Sequence, residues 1–309
     1  MSATIVPTGV PAEKNSFRSD EKLDLGNSIP FLLVHLVALA APFVVGISWK
    51  LVGLAVLSYY ARMAATTIGY HRYFSHRTFK TSRVFQFLLA FAAQTSAQKG
   101  ALWWAAHHRD HHRYSDMEGD IHSPKRGFVW SHVLWILCTK YAATDESKIK
   151  DFARYPELRL LNRFHLVPPV LLAVGLFVFG GMPALVWGFF VATVLLWHGT
   201  FLVNSLNHVW GSRRYATTDT SRNNPLIALF TMGEGWHNNH HHFMSSANQG
   251  FFWWEIDPSF YLIKAFQALG LIWDVRAPPA RILADTIRSR AGAPGLGLTV
   301  ASAGDRAAA

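Results

Sequence analysis

The chain has 309 residues, of which 50% are hydrophobic and only 16% are charged, and its formal net charge is +10. Soluble globular domains carry about 25% charged residues, so this composition points to a membrane protein and excludes a disordered chain. The only cysteine, Cys138, cannot pair within the chain, which excludes a disulfide scaffold. A basic protein can bind nucleic acid or a membrane, and the placement of its charges decides between them.

Four apolar segments follow one another in two pairs. They occupy residues 29–47, 51–69, 167–179 and 184–206. Each approaches the roughly 20 residues that a helix needs to cross a bilayer, although the third is short. The joins at residues 48–50 and 180–183 predict tight turns. The sequence therefore predicts an all-α integral membrane protein, with four transmembrane helices in two hairpins, over a single domain of residues 29–285.

The remaining segments are predicted to form the ends of the chain and a cap. Residues 1–28 are polar and lack the order of a signal peptide. Residues 286–309, rich in alanine and glycine, are predicted to be a disordered tail. Three shorter apolar runs, 84–97, 128–141 and 260–273, predict helices that pack in a cap or lie at the membrane surface.

Lysine and arginine are distributed unevenly around the predicted spans. Fifteen lie between His71 and His165 and nine between Asn207 and the end of the chain, whereas the two hairpin turns contain only Lys50. The positive-inside rule then places both long segments and both termini on the cytoplasmic side of an inner or plasma membrane. The charge is thus a topology signal, and a nucleic-acid partner is set aside because no basic stripe marks a soluble domain.

The chain has sixteen histidines, a number that its membrane character does not explain. Four groups lie at the cytoplasmic ends of the predicted spans: His71 and His76; His107, His108, His111 and His112; His208; and His237, His240, His241 and His242. Two groups contain the unit HxxHH, whose members share a helical face, so each unit is predicted to aim three imidazoles at one point. The five-residue offset of His71 and His76 instead predicts a helix end followed by a loop.

So many imidazoles suit transition metals, and they exceed the needs of one tetrahedral zinc. A single HxxHH unit is more often a surface feature, but two identical units on one side of a membrane are poorly explained by chance. Glu234 is predicted either to orient a ligand through a hydrogen bond or to be local structure. His122 could be either a metal ligand or a structural residue. Histidines that stand alone are predicted to be structural, namely His35, His132, His165 and His198.

The order of HRYFSH, HRDHH, NSLNH and GEGWHNNHH resembles the membrane fatty acyl desaturases, specifically the stearoyl-CoA (Δ9 acyl-CoA) desaturase family in its bacterial form. The likeness extends from about Leu51 to Val275. It implies a centre of two irons with nine histidine ligands: His71, His76, His108, His111, His112, His208, His237, His240 and His241. It also implies that Asn204 completes the centre through a water molecule.

The resemblance further implies a narrow, kinked acyl tunnel. Its kink residues match Gln98, Trp104 and Thr200, and Phe201 stands where the animal members have tryptophan. Ala106 and His107 replace the Arg-Asp pair that meets the CoA headgroup in animal members. This departure weakens CoA relative to acyl carrier protein or intact glycerolipid as the carrier of the acyl chain, without deciding among the three.

The implied activity is oxygen-dependent formation of a cis double bond, at Δ9 by family analogy, with O2 as co-substrate. Electrons would come from an external ferredoxin or cytochrome b5-like donor with its reductase, which a basic face including Lys125, Arg126, Arg213 and Arg214 could dock. A di-iron lipid hydroxylase is a close alternative. A histidine-rich metal transporter is a more distant one, because an ion path needs polar residues within the spans, where few occur.

Overall fold

The structure is a computed structural model that describes residues 17–285. The predicted tail, 286–309, and the first 16 residues of the polar N-terminal segment lie outside the described residues. The α-helices are α1 (Leu25–Val44), α2 (Trp49–Ala65), α3 (Arg83–Gln94), α4 (Ala101–Tyr114), α5 (Phe128–His132), α6 (Lys150–Ala153), α7 (Pro156–Arg163), α8 (Val167–Leu185), α9 (Ala192–Ser205), α10 (Pro225–Phe230), α11 (His237–His242), α12 (Pro258–Ala268) and α13 (Ala280–Ala284).

Three helical stretches of the described chain are long and apolar enough to span a membrane: Leu25–Val44, Trp49–Ser75 and Val167–His208. α1 starts four residues before the predicted span, because the side chain of Asp24 caps it by accepting the N–H of Asn27. α2 starts at Trp49, two residues before its prediction, with Ser48 as the cap. These stretches make the chain an integral membrane protein.

The third stretch, Val167–His208, reverses direction where the sequence predicts a turn. Gly181 has φ = 66°, a left-handed conformation that ends the first arm. A Cβ atom on Gly188 would lie 3.1 Å from Leu176, although twelve residues of straight helix span about 18 Å. The two arms therefore lie side by side. The second arm begins with a π-helical segment, Val186–Val191, and continues as α9.

A longer π-helical segment, Thr66–Ser75, extends α2 and carries His71. Its hydrogen bonds join residues five apart, and the N–H of His76 donates to the carbonyl oxygen of His71 at 3.2 Å. The two imidazoles therefore come together, with ring centroids 4.8 Å apart. The predicted helix end is confirmed, since the π-helical segment ends at Ser75 and His76 is the residue that follows it. The sequence did not predict that this end is π-helical.

The cap is more broken than the sequence predicts. The runs at 84–97 and 260–273 contain α3 and α12, but the run at 128–141 divides into α5 and two 3₁₀ turns, Leu134–Leu137 and Thr139–Tyr141. Further 3₁₀ turns are Pro124–Arg126, Glu146–Lys148 and Leu206–His208. The fold also departs from all-α, since strand β1 (Lys80–Thr81) pairs antiparallel with strand β2 (Ile272–Trp273).

The principal core joins the π-helical segment Thr66–Ser75 to α3, α4 and α7. Tyr70, Phe74 and Leu102 are fully buried in it. Arg62, the charged residue within the second span, is also buried, and its guanidinium donates to the carbonyl oxygen of Thr95 and to Oγ1 of Thr193, both at 2.7 Å. This cation therefore ties helices together and does not face lipid.

Three of the histidines predicted to stand alone meet in one hydrogen-bonded chain. Nε2 of His35 lies 3.0 Å from Nε2 of His198, and Nδ1 of His198 lies 2.9 Å from Nε2 of His132. Nδ1 of His132 then lies 3.0 Å from the hydroxyl oxygen of Ser205. We call these four residues the histidine chain. It joins α1, α5 and α9, which the sequence gives no means of bringing together.

Candidate metal centre

Nine imidazoles converge in two groups at the end of the long helices that the cap covers. Cluster A contains His71, His76, His108, His112 and His240, and cluster B contains His111, His208, His237 and His241. Within each cluster, one ring nitrogen from every member lies within 4.8 Å of the others. These are the nine histidines that the resemblance selects, and their role as iron ligands remains a prediction.

Each HxxHH unit is divided between the clusters. His108 and His112 of α4 belong to cluster A, but His111 belongs to cluster B, and α11 likewise gives His240 to A and His237 and His241 to B. The prediction that one unit aims three imidazoles at one point was wrong. Successive residues of a helix are about 100° apart, so neighbours in an HxxHH unit can face two adjacent points.

Most Nε2 atoms in the clusters lie at a common spacing. In cluster A, His76 and His108 are 2.9 Å apart and His71 and His240 are 3.0 Å apart at these atoms. In cluster B, His208 and His237 are separated by 3.1 Å. Two imidazoles bound at right angles to one metal, each at about 2.1 Å, have nitrogens about 3.0 Å apart.

Carboxylates and hydroxyls fix the outer nitrogens of several imidazoles. Nδ1 of His71 lies 2.5 Å from Glu234, which is the first of the two roles predicted for that carboxylate. Nδ1 of His111 lies 3.0 Å from Asp120, and Nδ1 of His241 lies 2.7 Å from Asp219. Each carboxylate can only accept, so each Nδ1 carries the proton and each Nε2 presents a lone pair inward.

The same arrangement at His208 completes the case for a cation in cluster B. Its Nδ1 lies 3.2 Å from the hydroxyl oxygen of Thr220, which in turn donates to Asp116 at 2.7 Å. Nε2 of His208 therefore also carries no proton and presents a lone pair. Nε2 of His241 is buried and has no hydrogen-bond partner among residues 17–285. Three unprotonated nitrogens facing one point repel one another unless a metal ion lies between them, so the residues fit the implied metal.

Five of the clustered imidazoles are held in the neutral form that binds metal, whereas at His111 burial is outweighed by Asp120, which raises the pKa. Burial, followed by repulsion from the neighbouring imidazoles, lowers the pKa of His76, His108, His112, His237 and His240 well below its usual range. Neutral imidazole is the protonation state that coordinates a transition metal, so these side chains need lose no proton when metal binds at pH 7.

His122, which the sequence left open, lies beside cluster B. Its ring centroid is 4.2 Å from that of His111, and the two residues form a third buried group with Asp120. Burial, and then repulsion from His111, lower the pKa of His122 to about 3. His107 and His242 lie outside the two clusters, where their rings pack on Trp103 and Tyr215.

A cavity of about 590 Å³ reaches the clusters from within the membrane helices. The four predicted tunnel residues all line it, namely Gln98, Trp104, Thr200 and Phe201, together with His108 of cluster A and Asn204. The side-chain amide of Gln98 donates to Thr200 at 3.0 Å, and the indole N–H of Trp104 donates to Gln98 at 3.3 Å. Asn204 also lines a small cavity beside His71, His111 and His237, and so lies between the large cavity and the clusters.

Sequence reasoning missed the acidic residues behind the imidazoles. Asp120 and Asp219 are buried carboxylates in segments that precede or follow histidine groups, and such placement of acids was the available signal. The predicted basic docking face needs correction. Arg126 is buried in an ion pair with Glu21, and Arg214 pairs with Glu255, whereas Lys125 is exposed.

The fold and the site together define an integral membrane protein with two adjacent, buried histidine clusters that could hold metal, at one end of an apolar cavity. The model of the fatty acid desaturase family matches residues 47–273. This chain belongs to that family.

Curated plant proteins are similar over most of the chain. Delta-9 acyl-lipid desaturase 2 of Arabidopsis thaliana is 41% identical over 248 residues, which are 79% of this chain and 80% of the relative. A chloroplastic palmitoyl-monogalactosyldiacylglycerol delta-7 desaturase of the same plant is 37% identical, over 84% of this chain and 71% of its own. Acyl-CoA 5-desaturase AL21 of Anemone leveillei is 39% identical, over 79% of this chain and 77% of its own. The predicted bacterial type stays a prediction.

Proposed function

We propose that this protein is an oxygen-dependent desaturase that introduces a cis double bond, at Δ9, into a saturated fatty acyl chain. Clusters A and B each hold one iron, and Asn204 contributes through a water molecule. The observation that carries the proposal is the meeting of two sets of inward-facing imidazole nitrogens at one end of an apolar cavity. The family match and the metal-compatible spacing of the nitrogens support it.

The two irons supply the oxidising power needed to remove hydrogen from an unactivated methylene, which no side chain can provide. One turnover takes two hydrogens from adjacent carbons, two electrons from the donor and two protons from water, and it reduces one dioxygen to two waters. The protein's residues position the substrate and exclude water. Gln98 and Thr200 hold the bend of the cavity by their hydrogen bond, so one carbon–carbon bond lies at the clusters.

The position of the double bond follows from the depth of the cavity beyond the bend. Relatives are named for delta-9, delta-7 and delta-5 positions, so this choice varies among similar chains. Replacing Thr200 by Leu adds bulk at the bend, where packing tolerates little extra volume. The variant should change the chain length or position that is desaturated, as read by mass spectrometry of the products. An unchanged product profile would contradict the tunnel assignment.

We further propose four membrane spans in two hairpins, with the clusters and both termini in the cytoplasm. The distribution of lysine and arginine supports this orientation. The acyl chain then reaches the clusters from the bilayer. A ferredoxin or cytochrome b5-like donor with its reductase reaches them from the cytoplasm. The exposed Lys125 is available for contact with an acidic donor.

The test is expression in a strain without desaturases of its own, followed by product analysis and measurement of bound iron. We expect cis-unsaturated chains and about two irons per protein, both lost in His111→Ala. His242→Ala is the matched control, because His242 lies on α11 outside both clusters. Hydroxylated chains would instead identify a hydroxylase, and zinc or copper uptake without any lipid product would identify a transporter.

A further inference from the structure

Several residues that line the large cavity are also exposed on the outer surface of the apolar helices. Leu166, Val170 and Val174 line the cavity, and each is more than half exposed. Spaced by four, the three residues follow one face at the start of α8. Gly26 and Pro30 of α1 also line the cavity and are exposed. We call this the side opening, since residues of α1 and α8 both line the cavity and reach the outer surface there.

The side opening lies close to the level at which the apolar helices begin. α1 begins at Leu25 and α8 at Val167, so the lining residues belong to the first halves of both helices. Asn27 and His165 line the cavity beside the apolar residues. A boundary between polar and apolar lining at the ends of spanning helices is the depth at which lipid headgroups lie.

One cation lies among these residues. Among the described residues that line the cavity, Lys99 is the only lysine or arginine. Its ammonium lies 5.3 Å from the centre of the Trp103 ring and 3.4 Å from the carbonyl oxygen of Ala142. Burial lowers the pKa of Lys99, and the negative charge of Asp24, the cap of α1, partly opposes this shift. The pKa of His165 is lowered mainly by burial and secondly by the positive charge of Lys99. Lys99 lines the same cavity as Asn27 at the start of α1 and His165 just before α8.

The backbone that presents this cation is strained. Ala97 has φ = 56° and Lys99 has φ = 62°, left-handed conformations that residues with a side chain adopt rarely. Gln98, between them, makes the hydrogen bond to Thr200 at the bend of the cavity. Such strain persists where surrounding structure enforces it, and functional sites are common among such places. Here one short segment lines both the bend and the side opening.

We propose that the side opening admits the acyl chain of an intact phosphoglycerolipid directly from the bilayer, with Lys99 contacting the lipid phosphate. This rests on the proposed desaturase function and names the substrate of that site. A phosphodiester carries one negative charge, which one ammonium matches. A CoA thioester carries a diphosphate and a further phosphate, and would call for several cations where the described lining has one.

The substrate test uses the full-length, iron-loaded protein with an electron donor and its reductase. It compares vesicles of distearoyl phosphatidylglycerol with stearoyl-CoA in vesicles that lack stearoyl chains. We expect double bonds in the chains of the phosphatidylglycerol. Conversion of stearoyl-CoA alone would overturn lateral entry while leaving the desaturase proposal intact. Conversion of neither would overturn the desaturase proposal itself.

A blocking variant tests the side opening. Val170→Trp fills it, whereas Val178→Trp adds the same bulk at another exposed position of α8 that does not line the cavity. We expect desaturation of phosphatidylglycerol to fall about tenfold or more in Val170→Trp, with bound iron unchanged, and to stay at the original rate in Val178→Trp. Equal rates in both variants, with iron retained, would overturn the proposed route.

The role of Lys99 is tested by removing its charge. Lys99→Met should raise KM for phosphatidylglycerol about tenfold with little change in kcat, and Lys99→Arg should restore most of the affinity. The uncharged monogalactosyldiacylglycerol should be insensitive to both substitutions. An unchanged KM for phosphatidylglycerol in Lys99→Met would overturn the contact between Lys99 and the phosphate.

Discussion

Imidazole nitrogens lie 2.9–3.1 Å apart both in clusters A and B and in the histidine chain. In the histidine chain, Nδ1 of His35 donates to the carbonyl oxygen of Phe31 at 2.7 Å, so its Nε2 accepts from His198. His198 then accepts from His132 at its other nitrogen. Each contact between two of these histidines thus pairs a lone pair with a proton, and His132 meets the hydroxyl group of Ser205 at its remaining nitrogen, so the contacts within the histidine chain need no metal.

The clusters differ because carboxylates take the protons on the outer side. Asp120, Asp219 and Glu234 each accept from an Nδ1 atom, which leaves lone pairs facing one another within the clusters. Within the described part of the chain, the hydrogen bonds of His35, His132 and His198 include no carboxylate. The comparison indicates that the spacing of imidazoles does not distinguish a metal site from a hydrogen-bonded chain. The two are distinguished by the group that accepts a hydrogen bond from the outer nitrogen of each imidazole.

The largest effect is expected for a member of cluster A. His240→Ala should abolish desaturation and lower bound iron, while the protein remains inserted in the membrane, because His240 serves the clusters and not the spans. Activity, iron content and membrane fractionation measure this. Retained desaturation in the variant would refute the metal assignment.

An intermediate effect is expected for a carboxylate behind the imidazoles. Asp219→Ala removes the acceptor that orients His241, so iron affinity should fall about 10- to 100-fold. Competition with a chelator measures the affinity. Asp274→Ala is the control, because that carboxylate is exposed and pairs with Lys80 on the surface. Equal affinity in the two variants would show that the carboxylate does not support the cluster.

A smaller and different effect is expected in the histidine chain. His198→Ala leaves His132 without an acceptor and His35 without a donor, which should cost about 2 kcal/mol or more of unfolding free energy. Iron content should not change. Thermal unfolding in detergent measures the loss, and iron loss as large as that of His240→Ala would contradict the separation of the two regions.

The smallest expected effect concerns pH. Burial, and then His198, lower the pKa of His132 to about 4, whereas unfolded histidine titrates at about 6.5. The unfolded state thus binds the proton more readily, and the stabilisation is complete above about pH 6.5 and is lost as pH falls towards 4. Unfolding measured across this window should be less pH-dependent in His132→Gln than in the original protein. Identical pH dependence would contradict the low pKa.

Local patterns explain what could be predicted. Apolar run length predicts the long helices, and the turn at 180–183 follows from its glycines and proline. The observed helix starts differ from the predicted ones where a capping residue such as Asp24 extends the helix. The pairing of His71 with His76 was predicted without its cause, because sequence periodicity offers no signal for a π-helix. Of the two roles predicted for Glu234, the structure shows the hydrogen bond to an imidazole, which it makes with His71 and not with the neighbouring His237.

By itself, the sequence determined the membrane class, the choice of the nine clustered histidines and the family, because these depend on composition and on motifs that are local in the chain. Tertiary structure alone decided how the imidazoles divide between two clusters, which carboxylates stand behind them and that His35, His132 and His198 meet. Those outcomes depend on contacts between residues far apart in the chain, and only the packing of the helices brings such residues within hydrogen-bond distance.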